Sequence, residues 1–143
     1  MAQAHGCLIC AGSRGDDELR RVEVWRDPLW RLSTSITAPL VGSSYLEPLR
    51  HIAHVTDLDG EEAATLGAVL ARVTRTLREV TRAELVYVNV FGERIAHLHF
   101  DLAPHRTGDQ LRGGPAMVDP DASLLSLEKL GAGADRMPAA MAS

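Results

Sequence analysis

Residues 95–102 read Ile-Ala-His-Leu-His-Phe-Asp-Leu, an alternation that an extended chain sorts by face. Successive side chains of a β-strand point to opposite sides of the sheet, so a period of two separates one residue set from the other. As a strand, this stretch lines Ala96, Leu98, Phe100 and Leu102 along an apolar face. The opposite face carries His97, His99 and Asp101, with neighbours roughly 7 Å apart, twice the strand rise. One face enters a core, and the other presents two imidazoles and a carboxylate from a rigid element.

The rest of the chain bounds what that strand can belong to. At 143 residues with 45% hydrophobic and 24% charged residues, the length and balance suit one globular domain. The formal charge of −4 is spread along the chain with no basic run, which argues against a nucleic-acid partner. No stretch approaches a membrane span and the first residues lack an apolar signal core, so no membrane and a cytoplasmic location are expected. There, Cys7 and Cys10 are unsuited to a structural disulfide. Their spacing suits half of a metal site or a redox pair.

Turn chemistry makes residues 12–17 a loop. Strands are expected at 21–25, 29–36 and 42–46, with Asp27-Pro28 as the turn between the first two. The clearest helix opens at Asp59, a good N-cap with Glu62 as its capping-box partner. Leu66, Val69, Leu70, Val73, Leu77 and Val80 then form one apolar stripe. Residues 84–91 are apolar on both faces apart from Asn89 and predict a central strand. The expectation is an α+β domain over 1–118 with a mostly antiparallel sheet and one long helix. Residues 119–143 form a C-terminal segment with one short helix at 123–130 and a disordered last dozen.

Cys7-x-x-Cys10, Pro48-Leu-Arg-His51, Asn89, His97-Leu-His-Phe-Asp-Leu102 and Pro104-His-Arg-Thr-Gly-Asp-Gln-Leu111 follow one another in order. That series resembles the histidine triad (HIT) proteins over about residues 6–114. The resemblance implies a HIT-like fold, a homodimer and a nucleotidyl hydrolase or transferase acting at a phosphorus centre. His99 would be the nucleophile and Asp101 its neighbour in the catalytic set. Asn89, Arg94 and Arg106 would hold the nucleotide or another phosphorylated substrate. It also implies one structural zinc on Cys7, Cys10, His51 and His97, a closed tetrahedral set; on spacing alone, His5 or His54 could replace His51. Neutral imidazole is a competent nucleophile near pH 7, which fits the role independently.

Three departures point to a divergent substrate. Asp101 stands where the third triad histidine is usual, and an ionised carboxylate there repels a phosphate unless it is protonated or paired with Arg94 or Arg106. Glu93-Arg94 replaces a small polar residue. The position of the usual ribose-binding acid falls at Ser35, while Glu47 occupies a normally apolar position. Two other readings stand beside the leading one. In one, the protein is a non-catalytic or repurposed HIT-fold member, either a binding module or a biosynthetic enzyme for a non-nucleotide substrate. In the other, His97, His99 and Asp101 bind a catalytic metal.

Overall fold

Leu32, Leu46, Phe100 and Leu102 alternate inward from three neighbouring strands and bury almost completely against Val69, Val73 and Leu77 of one long helix. The computed structural model that shows this core describes residues 5–111, 121, 123 and 125–142. Its elements run α1 (Ser13–Leu19), β1 (Arg21–Arg26), β2 (Trp30–Ser35), β3 (Ser44–Pro48), α2 (Gly60–Thr81), β4 (Leu85–Asn89), β5 (Phe100–His105) and α3 (Leu127–Met141). The strands form one antiparallel sheet in the order β1-β2-β3-β5-β4. The α+β class and the expected turn at Asp27 both hold. The Asp27 carboxylate accepts the N–H groups of Leu29 and Trp30 at 2.8 and 2.7 Å.

Several expectations are corrected. Residues 13–19 are helical, although glycines and acids made them read as loop. Gly15 lies so close to the Leu8 carbonyl that an added Cβ would sit 1.7 Å from its oxygen. A packed approach therefore overrides the poor helix propensity of glycine. The third strand runs through Pro48 instead of stopping before it. At the start of α2, Asp59 makes no side-chain cap; it and Glu62 instead hold the Arg50 guanidinium. Val80 leaves the stripe and is exposed. Strand β4 lies at the sheet edge rather than its centre, with Leu85 and Val88 partly open.

The histidine-bearing strand also begins later than expected, at Phe100. Pairing of β5 with β3 starts at Phe100 opposite Leu46, and β3 ends two residues on at Pro48, which has no N–H to continue a ladder. Upstream, one bond from Leu98 N–H to Ile52 O at 2.7 Å guides the chain. The alternation consequently breaks: Ala96 is exposed and His97 is buried.

The chain divides into Met1–Leu111 and Arg112–Ser143; the boundary expected at 118–119 lies outside the described residues. In the second unit, α3 is capped by the Ser126 hydroxyl and extends to Met141. It starts later than the expected short helix and runs through residues expected to be disordered. Among the described residues, no helix is long and apolar enough to cross a membrane.

Candidate active site and metal centre

The buried His97 points to the N-terminal cysteine pair. Its Nδ1 lies 3.5 Å from Cys7 Sγ and 3.4 Å from Cys10 Sγ, and His51 Nδ1 lies 3.4 Å from Cys10 Sγ. The four donor atoms fall within 4.8 Å of one another. Tetrahedral zinc with bonds of about 2.3 Å to sulfur and about 2.0 Å to nitrogen places such S···N pairs about 3.5 Å apart. The donor set and its spacing therefore fit that ion. The local chain is shaped to match, since the Cys10 N–H donates to Cys7 Sγ at 3.4 Å and Ala11 N–H donates to Cys7 O at 3.0 Å. His97 Nε2–H donates to Pro48 O at 2.9 Å, which leaves Nδ1 as the ligand atom. Burial pushes the His97 imidazole down to about 4, keeping it neutral as metal ligation requires. His5 and His54 stand outside this cluster.

His99 lies two residues on and remains half-buried. Its Nδ1 is 2.6 Å from His97 O, so Nδ1 carries the proton and Nε2 keeps a lone pair. One residue thus supplies both a donor to the metal cluster and the carbonyl that orients the candidate nucleophile. Asp101 follows at the start of β5, in register with Asn89 of β4 and Tyr45 of β3. Oδ1 of Asp101 is buried and has no hydrogen-bond partner among the described residues. Burial raises the Asp101 carboxyl above its usual range, while nearby His99 pulls it back.

Arg94 and Arg106 do not pair with Asp101. Arg94 lines a cavity of about 380 Å³ with Cys7 and His51, beside the metal cluster. Arg106 lies past the far end of β5, about 23 Å along the chain from His99 by the strand rise. There its Nε donates to Arg82 O at 3.4 Å. The structure also separates the three-residue metal reading, because His97 joins the cysteines and leaves His99 and Asp101 outside the ligand cluster.

A feature missed by motif reading adjoins this site. Asp16 of α1, Arg21 of β1, Arg31 of β2 and Glu47 of β3 form a buried ring of alternating charges. Arg21 donates to Asp16 at 2.8 Å and to both Glu47 oxygens at 2.9 and 2.8 Å. Arg31 donates to Asp16 at 3.2 and 2.7 Å and to Glu47 through Nε. The ring fastens α1, just after Cys10, to three strands. Its only sequence signal was Glu47 in a normally apolar position.

No protein-family model matches the chain. An uncharacterised HIT-like protein of Mycobacterium tuberculosis, found in strains CDC 1551 / Oshkosh and ATCC 25618 / H37Rv, is 27% identical over 123 residues, covering 80% of this chain and 84% of its own. A zinc-bound histidine triad family protein from Mycobacterium smegmatis matches in structure with a TM-score of 0.62 at 26% identity, over 81% of this chain and 84% of its own. The fold is that of the histidine triad proteins. A protein from Streptococcus mutans UA159 matches this HIT-like chain with a TM-score of 0.76 at 21% identity, over 98% of it and 88% of its own length. A HIT family hydrolase from Legionella pneumophila Philadelphia 1 gives 0.58 at 20% identity, over 76% and 100%.

Proposed function

We propose that this HIT-like chain is a hydrolase or transferase that acts at a phosphorus centre through a covalent intermediate on His99. The observation that carries the reading is the 2.6 Å contact of His99 Nδ1 with the His97 carbonyl, which frees Nε2 for attack. Nε2 forms a bond to phosphorus as the bond from phosphorus to the leaving group breaks. The raised, unpartnered Asp101 carboxyl provides the proton to that leaving group and, while protonated, does not repel the phosphate. Water or another acceptor then displaces His99, and Asp101 takes back the proton. Asn89, across from Asp101, binds a phosphate oxygen. Arg94, by the metal cluster, is a second anion contact; Arg106, far along β5, has no place in this step.

Cys7, Cys10, His51 and His97 would hold one zinc ion, whose role would be structural, joining the N-terminal loop to the segment carrying His99. Thiol ligands of this kind suit a reducing compartment such as the cytoplasm. The exposed edge of β4, with Leu85 and Val88 beside α2, suits pairing with a second copy in a homodimer. The nearby HIT family hydrolases support the enzyme class, and the substrate is a nucleotide or a related phosphorylated small molecule.

Intact-protein mass spectrometry with adenosine phosphoramidate, dinucleoside polyphosphates and nucleoside triphosphates tests the reading. A nucleotide-sized adduct in wild type that is absent from His99→Ala is expected. Full turnover by His99→Ala sinks it, and so does zinc-loaded wild type that forms no adduct and consumes no substrate.

A further inference from the structure

The face of the sheet opposite Asp101 holds a second cavity, of about 550 Å³, between β1, β2 and the C-terminal half of α2. Leu32, Val73 and Leu77 form its buried floor, and the exposed Val24, Val41 and Val80 form its rim. A volume of this size lies within the range of small-molecule sites, roughly 300–1,000 Å³. Two local features build it. In β1 the register slips between Glu23 and Trp25, so that Trp25 falls opposite Leu32. Such a bulge re-aims side chains, and here the consecutive residues Val24 and Trp25 both line the cavity. At the other end Gly42, in a left-handed conformation at φ 86°, lets the loop close on α2; a Cβ there would lie 2.5 Å from the Thr81 methyl.

The lining is apolar even at its threonines. Thr76 and Thr81 hydroxyls donate to the helix carbonyls of Arg72 and Leu77 at 3.0 and 2.6 Å, and Thr34 bonds Ser44 at 3.0 Å. Their polar atoms are thus already engaged. Among the described residues, Arg72 is the one charged side chain lining the cavity, and its guanidinium carbon lies 5.2 Å from the centre of the Trp25 ring. Stacking engages the flat face of the guanidinium and leaves its N–H fork open. Arg72 makes no ion pair with any described residue.

We propose that this cavity is a binding site for a small amphiphilic carboxylate, an aliphatic chain lying on the Leu32–Val73–Leu77 floor with its carboxylate on Arg72. Charge complementarity selects the occupant, because a guanidinium fork without a carboxylate matches one in geometry as well as sign. The site lies across the sheet from His99 and does not depend on the phosphorus chemistry.

Decanoate is the probe. Calorimetry and Trp25 fluorescence, with Trp25→Phe as the spectroscopic control, should show saturable binding of one decanoate per chain. Arg72→Gln should weaken decanoate about tenfold, the effect of losing one charge-assisted contact, while leaving decan-1-ol binding unchanged. Thr76→Trp, on the exposed side of α2, should block both ligands while zinc content and circular dichroism stay as in wild type. No binding at millimolar decanoate overturns the proposal. So does binding indifferent to Thr76→Trp, or equal weakening of acid and alcohol by Arg72→Gln. If Val80→Asp halves the solution mass, the face is an interface between copies and the proposal likewise falls.

Discussion

Removing Glu47 from the buried ring should cost more stability than removing any exposed charge in this chain. Glu47 is fully buried, and its two oxygens accept three N–H bonds from Arg21 and Arg31. The Arg21 and Arg31 side chains are only 3% and 5% exposed. In Glu47→Ala, two buried guanidiniums share Asp16 alone. With so little of either guanidinium exposed, water replaces the lost carboxylate poorly, so the cost is that of breaking a buried pair, about 3–5 kcal/mol. That is a large part of a typical domain stability of about 5–15 kcal/mol. At about 4 °C per kcal/mol for a unit of this size, Tm should fall by about 12–20 °C. Urea unfolding followed by Trp30, which is fully buried in the core, measures the loss directly. Adding Arg21→Ala should recover part of it, because Arg31 and Asp16 then remain as a balanced pair. A loss below about 1 kcal/mol, the range of a surface pair, would refute the reasoning.

Cys10→Ser should lower bound zinc from one per chain to near zero and reduce Tm, read by elemental analysis and calorimetry; full zinc retention would exclude Cys10 as a ligand. Asp101→Asn should stabilise the protein at neutral pH. Burial raises the Asp101 carboxyl, so the folded chain holds this proton more tightly than the unfolded chain. Its stabilising contribution is complete below the ordinary value of 3.8 and is lost as pH rises through the raised folded value. The Tm advantage of the asparagine variant should therefore be present at pH 7 and vanish near pH 3, and a constant offset across that range would contradict it. Val88→Lys should turn a dimer into a monomer in light scattering, since it places charge on the open β4 edge; an unchanged mass would place the interface elsewhere.

Local periodicity determined much of this protein. Leu98, Phe100 and Leu102 were legible as core residues, because a strand must alternate faces. Val69, Val73 and Leu77 were legible as the inward stripe of α2, because a helix repeats every 3.6 residues. The donors Cys7, Cys10, His51 and His97 were also named from sequence, by chain order and resemblance, and the structure draws all four together. Tertiary structure decided what depends on distant partners. His97 leaves the polar row of His99 and Asp101 because the β5 ladder begins only at Phe100, and the cysteine loop takes its ring. Arg106 falls far from His99 although it follows in sequence, because β5 carries the chain away. Gly15 is helical because Leu8 packs against it. Asp16, Arg21, Arg31 and Glu47 lie on four separate elements, and no local pattern indicates that their charges close into one buried ring. Sequence periodicity reports which face a side chain takes, whereas compensation of a buried charge requires partners that only the folded chain brings within reach.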